Sequence, residues 1–386
     1  KAREQRDLFV VVIDPRFTST CEAADLHLPI LPGQDVALFN GLLQYLYQHG
    51  DVDQEFVAAH TQGLEQAFAS STAEASIKDV AARTGISTAK LSQFFEKFAQ
   101  IDKVMTLFSM GVNQSSRGVD KANSIINCHL LTGKIGKLGA APFSMTGQPN
   151  AMGGREVGGL ANMLAAHLDL ENLEHQQLVQ NFWRRPYIAK QAGFKAVDLF
   201  QAVESGKIKA IWIMATNPVV SLPDADQVKR ALDKCEFVVV SDICQDTDTT
   251  QYADVLLPAL GWGEKDGTVT NSERRISRQH AFLDAPGEAK ADWWAIAQVA
   301  KQMGFRGFDF HNSHEIFKEH AELSAYQNVE ISQRLETPYF RYFNLQGLSN
   351  LTTQEYDKLE PVQWPVWDKQ QPVKSVARFV AQLQFR

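Results

Sequence analysis

The amino-acid sequence predicts an α/β fold with mainly parallel sheets. Three observations carry that expectation. Continuous apolar runs rich in β-branched residues recur, LFVVVI at 8–13, AIWIMA at 210–215 and FVVV at 237–240. The first reads as a strand buried on both faces, as in parallel sheets, and the other two read as strands. They alternate with stretches of helical spacing, the pattern of βα units. Short polar segments follow the runs, and open α/β sheets bind ligands beyond the carboxyl ends of their strands.

The chain has 386 residues, 44% of them hydrophobic and 22% charged, enough for two or three domains and an ample core. A formal charge of −7 argues against a general nucleic-acid binder, which shows a basic excess or stripe. No apolar run approaches the roughly 18 residues of a membrane span. The charged start KAREQRD leads straight toward a strand, which predicts no signal peptide and a chain that begins inside a larger domain. Cys21, Cys128, Cys235 and Cys244 form no CxxC pair, so neither a zinc ribbon nor an iron–sulfur cluster is encoded, and no metal ligands are assigned. Scattered cysteines suit a reducing compartment. No GxGxxG, Walker loop, HExxH or nucleophile elbow is present.

In chain order, Leu8–Ile13 reads as a strand ending in Asp14, Pro15, Arg16, Phe17 and Thr18. An acid, an arginine and a hydroxyl there suit a ribose, guanine or phosphate; a merely polar turn is the bland alternative. Leu26–Leu31 is a second strand. Gly33-Gln34-Asp35 is a turn with Asp35 placed to cap a helix at 36–48. Residues 53–103 read as helical throughout. Within them IKDVAARTGISTAKLSQFFEKFA (77–99) has the form of a helix-turn-helix. Its second helix carries only Lys90 and Lys97 as cations, too few for phosphate contacts, so a packing unit is preferred over a DNA reader. Val104–Ser109 is a strand ended by a polar segment containing Met110 and Gln114. A helix at 119–131 and a glycine-spaced connector at 134–143 follow.

Thr146–Gly159, TGQPNAMGGREVGG, reads as a loop, because five of its fourteen residues are glycine. Its single cation, Arg155, flanked by Gln148, Asn150 and Met152, suits a small oxyanion; a salt bridge from Arg155 to Glu156 or another acid is the structural alternative. Residues 169–191 look polar and mobile. Strands at 210–215, 237–240 and 255–257 then alternate with a helix at 224–234, and Asn217, Ser241 and Asp242 fall at strand ends. Gly261–Arg278 reads as a charged turn in which Lys265 or an arginine reaches a pyrophosphate, or as a solvated charge run. Asp292 opens an amphipathic helix. His311, His314 and His320 read as surface histidines rather than metal ligands. Residues 337–372 read as a connector.

Together, MGVNQSSRG, HLLTGKIGKLGAAPFSMTGQPNAMGGREVGG, ATNPVVSLPDAD, SDICQDTDTTQYADVLLPA and GWGEKDGTVTNSERRIS resemble the bis-molybdopterin guanine dinucleotide oxidoreductases. Within that family they look most like the catalytic subunit of assimilatory nitrate reductases. The periplasmic enzymes carry a similar loop one residue longer and without the paired Gly153-Gly154, and formate dehydrogenases replace the arginine region. The resemblance runs from about Arg6 to about Gly304. It implies two Rossmann-like doubly wound domains: residues 1–103 as the C-terminal part of one guanine-dinucleotide domain, 104–305 as a second, and 306–386 as an irregular C-terminal connector. It also implies a central fragment, inactive alone, whose [4Fe–4S] domain, molybdenum-ligating cysteine and C-terminal domain lie elsewhere.

By motif, the first nucleotide would meet Asp14, Pro15, Arg16, Phe17, Thr18, Gly33, Gln34 and Asp35. The pterin would meet Met110 and Gln114. The second nucleotide would meet Asn217, Ser241, Asp242, Lys265 and Asp292. Carboxylates suit guanine because its N1 and N2 are donors. In the reaction the resemblance implies, electrons reach molybdenum through the cluster from a donor protein or reductase subunit. Nitrate then gives up an oxygen atom and becomes nitrite, in the cytoplasm. Arg155 would draw nitrate in with its planar fork, while Gln148 and Met110 shape the pocket.

Overall fold

A computed structural model describes residues 7–328, 341–368 and 383–384. The chain forms two compact units, Lys1–Gly147 with Lys374–Arg386, and Gln148–Val373. The units part at 147/148, whereas the sequence reading drew its first boundary at 103/104.

In the first unit, β1 (Val11–Ile13) pairs in parallel with β2 (Leu26–Leu28), Val11 opposite Leu26. The expectation of burial on both faces fails for β1, whose residues are half-buried; β2 is its one partner among the described residues. The helix Asp35–Gln48 lies in the core, burying Leu38, Phe39, Leu42, Leu43 and Leu46. It packs on the helices Gly118–Leu131 and Ile77–Thr84. The region 53–103 is helical apart from a short strand, β3 (Thr61–Gln62). Its helix-turn-helix forms as Ile77–Thr84, a left-handed Gly85 and Thr88–Gln100. The second helix buries Leu91, Phe94, Phe95 and Phe98. Lys90 donates to the His27 carbonyl and Lys97 sits 5.3 Å over the Phe9 ring. Both cations are thus spent inside the unit, as a packing element requires. β4 (Met105–Phe108) pairs in parallel with β5 (Ala141–Ser144), a strand inside the stretch read as a connector.

In the second unit, β6 (Ala210–Met214), β7 (Phe237–Asp242) and β8 (Val255–Pro258) form a parallel sheet in the order β6–β7–β8. The helices Ala196–Glu204 and Ala225–Lys234 bury Phe200, Val203, Val228 and Leu232 against Ile213, Val238 and Val240. Asp224 caps the second of these helices through the Gln227 amide, and Asp254 accepts the Val238 amide at 2.7 Å. The supposed charged turn is a hairpin, β9 (Gly267–Thr270) and β10 (Arg275–Gln279), extended antiparallel by β11 (Val362–Gln363). The polar stretch at 169–191 contains a helix, Leu173–Trp183, because Asn172 accepts the Glu174 and His175 amides and Leu178 and Val179 are buried. Within 341–368, Phe343, Leu345, Tyr356 and Trp364 are core residues of this unit. Within the first unit, the last strand, β12 (Leu383–Gln384), pairs in parallel with β3. The result is an α/β molecule of small, mainly parallel sheets, as the apolar runs predict.

Candidate functional site

In the first unit, three predicted segments stand where strands give out. After β1, Asp14 Oδ1 accepts the Arg16 amide at 2.8 Å, and the Asp14 carbonyl meets His27 Nε2 at 2.9 Å. That turn leaves Pro15 and Arg16 exposed and presents Phe17, 68% exposed, edge-on to His27. Thr18 occupies the N-cap of the helix Ser19–Glu22, its hydroxyl meeting Cys21 Sγ at 3.7 Å rather than capping a backbone amide. After β2, Gly33 has φ +84 and Gln34 takes the N-cap of the helix Asp35–Gln48. Asp35 is therefore not the cap. It is the first helical residue, and its Oδ2 lies 2.8 Å from Lys121 Nζ. Lys121 also donates to the Gly111 carbonyl at 3.2 Å, which ties the segment after β4 to the Asp35 turn. There Met110 opens the helix Met110–Asn113 and Gln114 closes it, both exposed.

In the second unit the remaining positions lie along the carboxyl edge of β6–β7–β8. Ala215 takes φ +54, a conformation costly for a residue with a Cβ, and turns the chain into Asn217. Asn217 is the N-cap of Pro218–Ser221 and accepts the Thr249 hydroxyl at 2.6 Å. Ser241 is buried and accepts the Trp212 indole N–H at 2.8 Å. Asp242 Oδ1 accepts the Cys244 amide at 2.9 Å. A parallel bridge between Ala259 and Lys290 prolongs β8 and delivers Asp292, the first residue of the helix Asp292–Gln302, to the same edge. Lys265 Nζ lies 2.9 Å from Asp292 Oδ2.

Asp292 Oδ1 is buried and has no hydrogen-bond partner. A buried acceptor left unsatisfied costs about 1–3 kcal/mol, so this atom suits a ligand that brings donors to it. The groups of the site, the Lys265–Asp292 pair and the Asp242 carboxylate at the end of β7, fit a base bearing N–H groups and its pyrophosphate.

The glycine-rich stretch is not a loop throughout. It contains the helix Ala151–Glu156. Gly153, Gly158 and Gly159 permit close packing, whereas a Cβ on Gly147 or Gly154 would meet nothing within 4 Å. A Cβ on Gly153 would collide with Asn150 Oδ1, which is held by the Thr270 amide at 2.9 Å. A Cβ on Gly158, whose φ is +74, would come within 2.6 Å of the Ala165 nitrogen. Arg155 is exposed and has no ion-pair partner among the described residues. Its neighbour Glu156 turns the other way, is 2% exposed and bonds Thr270 and Trp364. Among the described residues Arg155 makes no salt bridge of the kind weighed as its structural alternative. Gln148 is exposed at the start of the same stretch, and Met152 is half-buried against the core. Burial holds His167 below the ordinary imidazole range, opposed by Glu156 and reinforced by His320 and Arg155.

Lys121, Thr249, Trp212, Thr270 and Trp364 support the predicted positions but carry no sequence signal; each is remote in the chain from the residue it holds. His311 pairs with Glu315 and His314 donates Nε2–H to the Leu351 carbonyl, so the two do not share a ligand. Among the described residues no group of three His, Cys, Asp or Glu could hold a metal ion, and no helix is long and apolar enough to cross a membrane.

Comparison with known proteins follows this geometry. Residues 1–302 match the family model described as molybdopterin oxidoreductase. A nitrate reductase of Shewanella frigidimarina is 52% identical over 92% of the chain and 37% of its own length. One of Klebsiella oxytoca is 47% identical over 94% of the chain and 40% of its own length. The alpha subunit of an F420-dependent formate dehydrogenase of Methanococcus maripaludis is 33% identical over 82% and 46%. Among solved structures, acetylene hydratase from Pelobacter acetylenicus superposes with a TM-score of 0.66 at 18% identity, covering 92% of the chain and 48% of that one. The chain thus spans less than half the length of these proteins.

Proposed function

The chain belongs to the molybdopterin oxidoreductase family, and from that premise we propose that it is the cofactor-binding core of a nitrate reductase, which reduces nitrate to nitrite by oxygen-atom transfer at a bis-molybdopterin guanine dinucleotide. The observation that carries the substrate assignment is Arg155. It is an exposed guanidinium without an ion-pair partner among the described residues, on a helix pinned from behind by Glu156. Its planar fork and permanent charge suit a planar monovalent oxyanion. Proteins carrying the same name, at 52% and 47% identity, support the choice of nitrate.

When bound, molybdenum and its dithiolenes supply the oxygen-transfer and electron chemistry. The residues of this chain bind and orient. Asp14, Pro15, Arg16, Phe17, Thr18, Gly33, Gln34 and Asp35 would hold one guanine dinucleotide, with Phe17 offering a ring face and Arg16 a charge. Asn217, Ser241, Asp242, Lys265 and Asp292 would hold the other, Asp292 Oδ1 accepting from guanine and Lys265 meeting pyrophosphate. Met110 and Gln114 would lie against the pterin, and Gln148 would border nitrate. Electrons would arrive through a [4Fe–4S] cluster from a donor protein or reductase subunit, in the reducing cytoplasm that four free cysteines suit.

Assaying the holoenzyme with a reduced dye and nitrate, and with an oxidised dye and formate, tests the reading. Nitrate-dependent dye oxidation is expected. Formate oxidation without nitrate reduction would move the chain to the formate dehydrogenase branch, to which it is also similar.

A further inference from the structure

Glu156 is charged, buried and adjacent to the residue proposed to meet substrate, and no redox or binding role accounts for it. Both of its carboxylate oxygens are occupied. Oε1 accepts the Trp364 indole N–H at 2.6 Å, and Oε2 accepts the Thr270 hydroxyl at 2.9 Å. His320 Nε2 stands 3.9 Å from Oε2. Thr270 itself is 3% exposed and uses its amide to hold Asn150 Oδ1, at the opposite end of the helix Ala151–Glu156. A single hairpin residue therefore grips both ends of that helix. Trp364 is fixed in turn. Phe343 packs edge-on at 5.2 Å, His167 edge-on at 5.6 Å, and the Arg274 guanidinium covers the ring at 5.1 Å.

Such a clamp has a physical reason. A six-residue helix containing Gly153 and Gly154 has little stability of its own, since nucleation is costly and glycine adds to the cost. Left to itself the segment would sample many states, and Arg155 with it. A buried carboxylate saturated by two donors converts the segment into one conformer, because any other leaves buried polar groups unpaired.

We propose that Glu156 is the positioning residue for Arg155: the Trp364–Glu156–Thr270 clamp holds the glycine-rich helix in one conformer and so sets the affinity for the oxyanion. The clamp draws on a tryptophan 208 residues further along the chain. This inference rests on the assignment of Arg155 to substrate. In its absence Glu156 would be a structural group with no effect on nitrate.

The test uses Glu156→Gln, Thr270→Val and Thr270→Ser in the holoenzyme, each also combined with Arg155→Ala. Glu156→Gln and Thr270→Val are expected to raise the nitrate KM about tenfold, with kcat and molybdenum content within about twofold of the parent. Thr270→Ser restores the hydroxyl and is expected to stay near the parent. On the Arg155→Ala background neither clamp variant should raise KM further, because the effect runs through Arg155. In the cofactor-free chain, amide exchange across 151–157 should accelerate about tenfold in Glu156→Gln and not in Thr270→Ser. Accelerated exchange with an unchanged KM, or full additivity with Arg155→Ala, overturns the inference alone. An unchanged KM in Arg155→Ala itself overturns the substrate reading, and this inference with it.

Discussion

Lys265 Nζ and Asp292 Oδ2 lie 2.9 Å apart at the carboxyl edge of the parallel sheet, while the other oxygen of Asp292 is buried without a partner. The ion pair fixes the carboxylate and leaves a directed acceptor beside it. Guanine presents N1–H and N2–H₂ donors, whereas adenine has an acceptor at N1. The cofactor-free chain is therefore expected to bind guanosine diphosphate more tightly than adenosine diphosphate. Asp292→Ala should erase about 2 kcal/mol of that preference. Titration calorimetry with both nucleotides measures it; equal affinities in the parent would remove Asp292 from base recognition.

Arg155 stands outside every ion pair among the described residues, so removing it should cost little stability and much substrate binding. A charge-assisted bidentate contact is worth about 2 kcal/mol, or about thirtyfold in kcat/KM for nitrate. Arg155→Ala should show that loss with bound molybdenum unchanged. Arg155→Lys should recover only part of it, because an ammonium cannot present the planar fork. Parallel loss of metal would mean that the residue holds cofactor and not nitrate.

What was legible in the sequence, and what was not, divides along one physical line. β6 and β7 are apolar runs, and AIWIM and FVVV read as strands at once. The helix Asp35–Gln48 carries its own periodicity. The helix Ala151–Glu156 was hidden because its middle is Gly153-Gly154 and its stability comes from Thr270 and Trp364. The hairpin β9–β10 was hidden because Arg275, Ser277 and Arg278 dominate the composition of β10, in which Ile276 alone is buried. In the site, Lys265 and Asp292 were both singled out, yet not as a pair. Asp35 was read as a cap because its partner Lys121 lies on another helix. Motif and strand-end position locate a residue; the residue that satisfies its charge is a tertiary fact.

Ala215 gives a test of strain at the same edge. Its φ of +54 follows a ladder bond from its amide to the Ser241 carbonyl at 3.1 Å. The chain must leave β6 in that conformation to bring Asn217 to the Thr249 hydroxyl. A Cβ in the left-handed region costs about 1 kcal/mol relative to glycine. Ala215→Gly is expected to raise the unfolding midpoint of the second unit by about 2 °C. A lower midpoint would show that the Cβ packs usefully and that the turn is unstrained.

His129 sets a pH limit on the first unit. It is fully buried, with Nδ1–H donating to the Lys134 carbonyl at 2.7 Å and Nε2 accepting the Thr106 hydroxyl at 2.8 Å. The Lys134 carbonyl can only accept, so Nδ1 carries the proton of the neutral ring and the Thr106 hydroxyl donates to Nε2. Burial pushes its pKa down to about 4 from an ordinary 6.5, with Lys134 bonded through its carbonyl opposing the shift and the Lys134 charge reinforcing it. The folded group therefore stays neutral where the unfolded one takes up a proton. The stability it confers is complete above about pH 6.5, drains away as pH falls, and is gone near pH 4. Two and a half units correspond to about 3 kcal/mol. Denaturant unfolding of the chain between pH 7 and pH 4 should show that loss. His129→Asn, which keeps a donor toward Lys134 and cannot titrate, should be weaker at pH 7 but flatter across the range. If its slope matched the parent's, the acid sensitivity would belong to other groups.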